Sequence, residues 1–178
     1  MDSTEQLDDL VRQCQQGDRQ AFEAVFNRYQ PRLRFYVLRL AGGDHAEDLL
    51  QEIWIRVIRK IKTLRDARAF PAWLYKIARH EVISRTRIKD PFVGLPEEEI
   101  DSLGVITEPD FTEQDSEWIH QALDRLKAHH KEILTLFFLE DLSHQQIADV
   151  LNIQVGTVKS RLYFAKQSLR LELEGRHG

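Results

Sequence analysis

Leu142-Ser-His-Gln-Gln-Ile-Ala-Asp-Val-Leu-Asn-Ile-Gln-Val-Gly-Thr-Val-Lys-Ser-Arg-Leu-Tyr-Phe-Ala-Lys166 spells two short helices and the turn between them. Ser143 followed three residues later by Gln146 is a capping-box pattern, so a helix is expected to start there. Ile147 and Leu151 lie four apart on one face, and Ala148 is small where a second helix must come close. Asn152 tolerates the left-handed conformation that stops a helix. Ile153 plugs the turn. A second helix then carries Val155, Val158, Leu162, Ala165 and Leu169 inward. Gly156, Lys159, Ser160 and Tyr163 are expected to face away, with Thr157 and Arg161 flanking. This pattern describes a helix-turn-helix, whose second helix fits the major groove of DNA.

Working outward, the chain is 178 residues long, which allows one large or two small domains. Apolar residues make up 42% and charged residues 30%, as in soluble globular proteins. No window reaches the ~18 uncharged apolar residues of a membrane span. The acidic start, Met-Asp-Ser-Thr-Glu, has no apolar core behind it and does not read as a signal peptide. The lone cysteine, Cys14, is expected to be a small buried hydrophobe in a reducing cytoplasm. Net charge is −4, but the charges are unevenly placed. Residues 31–90 hold 14 basic and 7 acidic side chains, whereas residues 91–120 hold none and nine. A basic block of this kind attracts phosphate even when the whole-chain charge is negative.

The apolar periodicity is helical throughout, so the expected class is all-α. Leu7, Leu10, Val11 and Cys14 share one side of a first helix. Gly17-Asp18 interrupts it, with Asp18 as the next N-cap. Phe22, Val25, Phe26, Tyr29, Leu33, Tyr36, Val37 and Leu40 continue at steps of three and four. Pro31 lies inside that run and predicts a kink or boundary near Gln30. Gly42-Gly43 ends it. Asp44 is expected to open a third helix with Glu47 as its capping partner, burying Leu50, Ile53, Trp54, Val57, Ile58, Ile61 and Leu64. Residues 65–69 read as a polar loop. A fourth helix buries Phe70, Trp73, Leu74, Ile77, Ala78 and Val82, and gathers Lys76, Arg79, His80 and Arg87 opposite. Aromatics beside a basic face suit a single strand or a nucleic-acid backbone. The organisation expected is two small helical domains, 1–90 and 115–178, on a flexible acidic linker, 91–114.

Three motifs carry a family resemblance. Val155-Gly-Thr-Val-Lys-Ser-Arg-Leu162 resembles the recognition helix of the extracytoplasmic-function (ECF) sigma factors of bacterial RNA polymerase. Asp44-His-Ala-Glu-Asp-Leu-Leu-Gln-Glu-Ile-Trp-Ile-Arg56 resembles that family's aspartate-rich, Gln-Glu helix. Phe70-Pro-Ala-Trp-Leu-Tyr-Lys-Ile-Ala-Arg79 resembles its Phe-x-x-Trp-Leu-x-x-Ile-Ala run. The order matches over nearly the whole chain, with residues from about 8 to 90 similar to the second sigma region and about 115 to 172 similar to the fourth.

The resemblance implies an alternative sigma factor that binds core RNA polymerase and promoter DNA, with no chemistry and no cofactor of its own. It assigns Asp48, Gln51, Glu52 and Arg56 to the polymerase. Arg65, Arg68, Lys76, Arg79, His80, Arg85 and Arg87 go to the melted minus-ten element. Thr157, Lys159, Ser160, Arg161 and Tyr163 go to the minus-thirty-five duplex. It also implies an anti-sigma partner. Trp73 shares a face with Ile77 and is assigned to the core rather than to base stacking. Several positions depart from the family pattern: His80 for Asn, Ser84 for Asp, Lys127 for Pro, Lys131 for Arg and Phe164 for Arg. Gln154 stands for a capping Ser, which weakens the start of the recognition helix by roughly 1 kcal/mol.

Two other readings compete. A stand-alone helix-turn-helix regulator needs neither the Asp48-to-Arg56 helix nor the basic aromatic one. An enzyme could be imagined from Asp44, His45, Asp48 and Glu52, but carboxylates at a helix start follow from its dipole. His129-His130 is expected on an exposed turn with no second ligand cluster, so no metal site is expected.

Overall fold

The computed structural model describes residues 3–95 and 116–175, and all regular structure among them is helical. The chain divides into two compact units, 1–89 and 90–178. The part of the acidic linker from 96 to 114 lies outside the described residues.

The first unit holds α1 (Ser3–Gln15), α2 (Arg19–Ala41), α3 (Ala46–Lys60) and α4 (Phe70–Thr86), with single 3-10 turns at Ile61–Thr63 and Ala67–Ala69. The Asp18 side chain accepts from the Ala21 amide at 3.0 Å, which caps α2 as its sequence predicts. Helix α2 passes through Pro31 without a boundary. The proline ring sits on the exposed side, while Tyr29, Leu33, Tyr36 and Val37 are buried on the other. Packing of that stripe outweighs the one ladder bond that proline removes. Gly42, at φ 80°, closes the helix in a conformation that glycine adopts freely.

The start of α3 differs from expectation. Its N-cap is His45, without a side-chain cap bond, and Asp44 does not pair with Glu47. Glu47 instead accepts from Arg34 Nε of α2 at 2.8 Å, trading a local cap for a link between helices. Ile58 is also not in the core but 55% exposed. The loop after α3 is partly ordered by the Ala67–Ala69 turn, whose Ala67 is buried.

Aromatic rings join the helices of this unit. Tyr36 of α2 meets Tyr75 of α4 edge-to-face at 5.2 Å, and Tyr29 meets Phe70 at 5.4 Å. Trp54 of α3 donates its indole N–H to Gln30 Oε1 at 2.6 Å and packs against Phe22 and Phe26. This satisfies the polar handle of a buried indole. Gln15 at the end of α1 donates from Nε2 to the Ile61 and Leu64 carbonyls, at 2.9 and 2.7 Å. One amide thereby gives the Leu64 carbonyl a donor and the Ile61 carbonyl a second one, beside the Leu64 amide. Cys14 is buried as expected, and burial pushes its thiol up to about 11, with the Asp18 charge adding, so it stays protonated at neutral pH.

The second unit holds α5 (Ser116–Arg125), α6 (Ala128–Glu140), α7 (His144–Leu151) and α8 (Val155–Glu174). Residues 91–94 form a turn that belongs to it, and Phe92 meets the His129 ring at 6.2 Å. The helix-turn-helix is built as its sequence predicts. Gln146 N donates to Ser143 Oγ at 3.1 Å and Ser143 N to Gln146 Oε1 at 2.9 Å, completing the capping box. Asn152 takes the left-handed conformation at φ 54°, ψ 48°. Helix α8 packs against α5, α6 and α7, with Val158, Leu162, Ala165 and Leu169 buried.

His130 corrects the expectation of an exposed turn: it is buried in the first turn of α6. Burial pushes its imidazole down to about 4, and the charges of His129, Lys127 and Arg161 push the same way. The folded form therefore keeps His130 neutral, while the unfolded chain protonates it near 6.5. The stability this contributes is complete above pH 6.5 and is lost as pH falls toward 4.

Two outcomes are expected of these contacts. Gln15→Ala should lower the stability of the first unit by roughly 1–3 kcal/mol in urea unfolding of the full chain, because it takes the donor from the Leu64 carbonyl and leaves the Ile61 carbonyl with one. Lowering pH from 7 to 4.5 should reduce the thermal midpoint of the second unit by about 5 °C or more. His130→Leu should flatten that dependence, and a His130 signal, assigned by its loss in that variant, titrating near 6.5 in the folded protein's NMR spectrum would contradict the assignment.

Candidate nucleic-acid interface

Helices α3 and α4 pack against one another, and two clefts open along their shared boundary. The first is lined by His45, Asp48, Leu49, Gln51, Glu52, Arg85 and Thr86. Asp48 and Gln51 are exposed, and Glu52 is half-buried where it meets Arg85 Nη2 at 3.3 Å. This cleft is rich in acceptors because α3 begins here, and carboxylates are favoured in a helix's first turns. The second cleft is lined by Arg56, Lys60, Thr63, Trp73, Lys76, Ile77 and His80. It joins three lysine or arginine heads to an aromatic wall, since Trp73 and Ile77 are only half-buried. At about 440 Å³ it falls within the size range of pockets that take small ligands, which a nucleotide would satisfy. Cations give phosphate a place, and an indole face gives a base one.

Between the clefts lies a carboxylate that reading the sequence did not single out. Glu81 is fully buried. Its Oε1 pairs with Arg56 Nε, and its Oε2 accepts from Arg85 Nε at 2.8 Å. His80 Nδ1 stands 3.9 Å from Oε1. A signal was present, since Glu81 and Arg85 are four apart on α4, the spacing of a helical ion pair.

In the second unit the recognition helix exposes Gly156 and Lys159, and half-exposes Thr157 and Tyr163. Its N-cap, Gln154, makes no side-chain cap bond, in keeping with the weak start read from the sequence. Ser160 and Arg161 are buried, and Ser160 Oγ donates to the Thr157 carbonyl at 3.0 Å. Arg161 lies near enough to His130 to act on its proton affinity.

Comparison with known proteins accords with these features. Residues 25–90 match the model of Sigma-70 region 2 and residues 116–169 that of Sigma-70 region 4. The ECF RNA polymerase sigma factor SigW of Bacillus subtilis is 31% identical over 176 residues, covering 92% of this chain and 94% of the relative. The chain belongs to the ECF sigma factors. The ECF RNA polymerase sigma-E factor of Haemophilus influenzae is 30% identical, with 96% and 97% covered. Among solved structures, CnrH in complex with the cytosolic domain of CnrY shares the fold at a TM-score of 0.66 and 18% identity, covering 95% and 97%. The sigma factor RpoE of Bartonella quintana, solved with the anti-sigma factor NepR, aligns at 0.62 and 25% identity, covering 86% and 96%.

As an ECF sigma factor the protein directs promoter-specific initiation by RNA polymerase and is not an enzyme. The reading as a stand-alone helix-turn-helix regulator is set aside, because the match runs through region 2 as well as region 4. No described helix is long and apolar enough to cross a membrane.

The residues singled out from the sequence are spread over several places in this sigma factor. Asp48, Gln51 and Glu52 share the acidic cleft, and Lys76 and His80 share the basic one. Arg56 lines the basic cleft and Arg85 the acidic one. Arg65, Arg68 and Arg87 are exposed but line neither, and Arg68 is paired with Asp66 at 3.2 Å. That pairing raises the Arg68 guanidinium above its ordinary value and holds the Asp66 carboxyl below its own. Arg79 is buried and does not present its head to a strand. Ser160 and Arg161 are likewise inside, because α5, α6 and α7 all pack on α8. Trp73, expected in the core, packs at a tilt against Phe70 at 5.9 Å while lining the basic cleft.

The division along α8 has a measurable consequence. Lys159→Ala should weaken duplex binding by the holoenzyme with no loss of thermal stability. Arg161→Ala should lower the unfolding free energy of the second unit by about 1–3 kcal/mol, since it disturbs a buried charge. Equal stability of the two variants by urea unfolding would contradict the burial of Arg161.

Proposed function

We propose that the two clefts divide the work of this sigma factor, the acidic one docking on core RNA polymerase and the basic aromatic one holding the melted minus-ten strand. The observation that carries this is the opposite character of two clefts set side by side along one pair of helices. A positive groove on the polymerase would meet Asp48, Gln51 and Glu52, a rim that guides encounter and sets register. On the other side, Arg56, Lys60, Lys76 and His80 would hold phosphates, and Trp73 would receive a base leaving the stack. Unstacking a base costs a few kcal/mol, which stacking on an indole offsets by about 1–3 kcal/mol per base.

The exposed first turns of α8 would read the minus-thirty-five duplex. Lys159 gives phosphate anchorage or a contact to guanine, Thr157 is a tolerant reader, and Tyr163 flanks them. Arg65, Arg68 and Arg87 would contribute at most phosphate contacts at the margin of the basic face. An anti-sigma factor is the expected regulator, since CnrH and RpoE were each solved with a partner chain and RpoE's is named an anti-sigma factor. The place of action is the cytoplasm, where polymerase and promoters are.

Run-off transcription with core polymerase on a genomic fragment library, with start-site mapping, tests the reading directly. The expected result is a defined set of start sites that requires this protein. Asp48→Lys with Glu52→Lys should abolish co-elution with core and transcription together, while the folded fraction is unchanged. Normal recruitment by that double variant would sink the assignment of the acidic cleft.

A further inference from the structure

We propose that Glu81 is a positioning residue for promoter binding, aiming Arg56 into the basic cleft and tying that aim to the acidic cleft through Arg85. The inference rests on the reading of the basic cleft given above. A buried carboxylate is held in place only when strong partners satisfy it, and here both partners are guanidinium groups. Each arginine leaves the shared carboxylate in a different direction. Arg56 enters the basic cleft from α3, and Arg85 enters the acidic one from α4. Arg85 also meets Glu52, so the acidic cleft, Arg85, Glu81, Arg56 and the basic cleft form one continuous chain.

Arg56 starts on the helix whose outer face carries Asp48 and Glu52. Without Glu81, its long side chain would be free to turn toward those carboxylates or to solvent. Paired through Nε, it retains its terminal amino groups for a phosphate, and its head needs no reordering when the strand arrives. Any ligand that draws Glu52 away from Arg85 leaves Arg85 more fully on Glu81. The hold on Arg56 then changes, so occupation of one cleft is felt at the other.

The test compares wild type, Glu81→Gln, Glu81→Asp, Arg56→Ala and the Glu81→Gln/Arg56→Ala double. Each full chain is assembled with core polymerase and given a start-site fragment from run-off mapping, premelted over its minus-ten positions. Positioning predicts that Glu81→Gln weakens strand binding roughly tenfold, although it removes a negative charge, and lowers the salt slope by about one. The double should bind no worse than Arg56→Ala alone, since the two residues act as one unit. Glu81→Asp keeps the charge but draws it back by one methylene, and should also bind less tightly. It carries the test if Glu81→Gln does not fold. Strand binding by either Glu81 variant equal to or tighter than wild type, with only the unfolding midpoint moved, overturns the proposal. A wild-type holoenzyme that ignores the premelted strand overturns the reading of the cleft and this inference with it.

Discussion

The register of α3 against α4 depends on a charge that cannot be left alone. Glu81 lies wholly out of water, and a bare carboxylate in that position would cost several kcal/mol. It is satisfied from two sides, by Arg56 of α3 and by Arg85 of α4. A slide of one helix along the other by a turn would break the Arg56 pair and strand the carboxylate. Apolar packing of Ile53, Val57, Leu74 and Val82 favours burial but tolerates small shifts, whereas a buried charge cannot be left without its counter-charge. The clefts on either side inherit their shape from that registration.

The second unit solves a related problem by different means. Its recognition helix must expose a few side chains while staying fixed. The fixed part comes from residues that look like DNA contacts on a helical wheel. Arg161 and Ser160 turn inward, near a buried His130 kept neutral by its surroundings. The first turns of α8 leave Gly156 and Lys159 exposed and Thr157 half-exposed. A short reading edge on a firmly packed helix loses little conformational entropy on binding.

Charge is distributed with the same economy. The whole chain carries a net −4, yet the basic cleft of the first unit gathers Arg56, Lys60, Lys76 and His80 with no carboxylate in its lining. The neighbouring cleft holds Asp48 and Glu52. Two surfaces of opposite character thus lie on adjoining helices of one small unit, and the mean charge of the chain describes neither.

Much of this was legible in the chain alone, wherever the cause is local. The capping box at Ser143, the left-handed stop at Asn152, the cap at Asp18 and the apolar stripes of α1 to α4, α7 and α8 are set by residues within a few positions of one another. The motifs around Asp48 and Lys159 named the family for the same reason, because they are contiguous. What the chain did not reveal are choices between two partners that only packing can make. Glu47 abandons a local cap for Arg34, Arg56 and Arg85 meet on Glu81, and Ser160 goes inside instead of out. Helical spacing tells which side chains share a face. Which face meets water, and which charge answers a buried charge on another helix, is decided when the helices come together and desolvation must be offset.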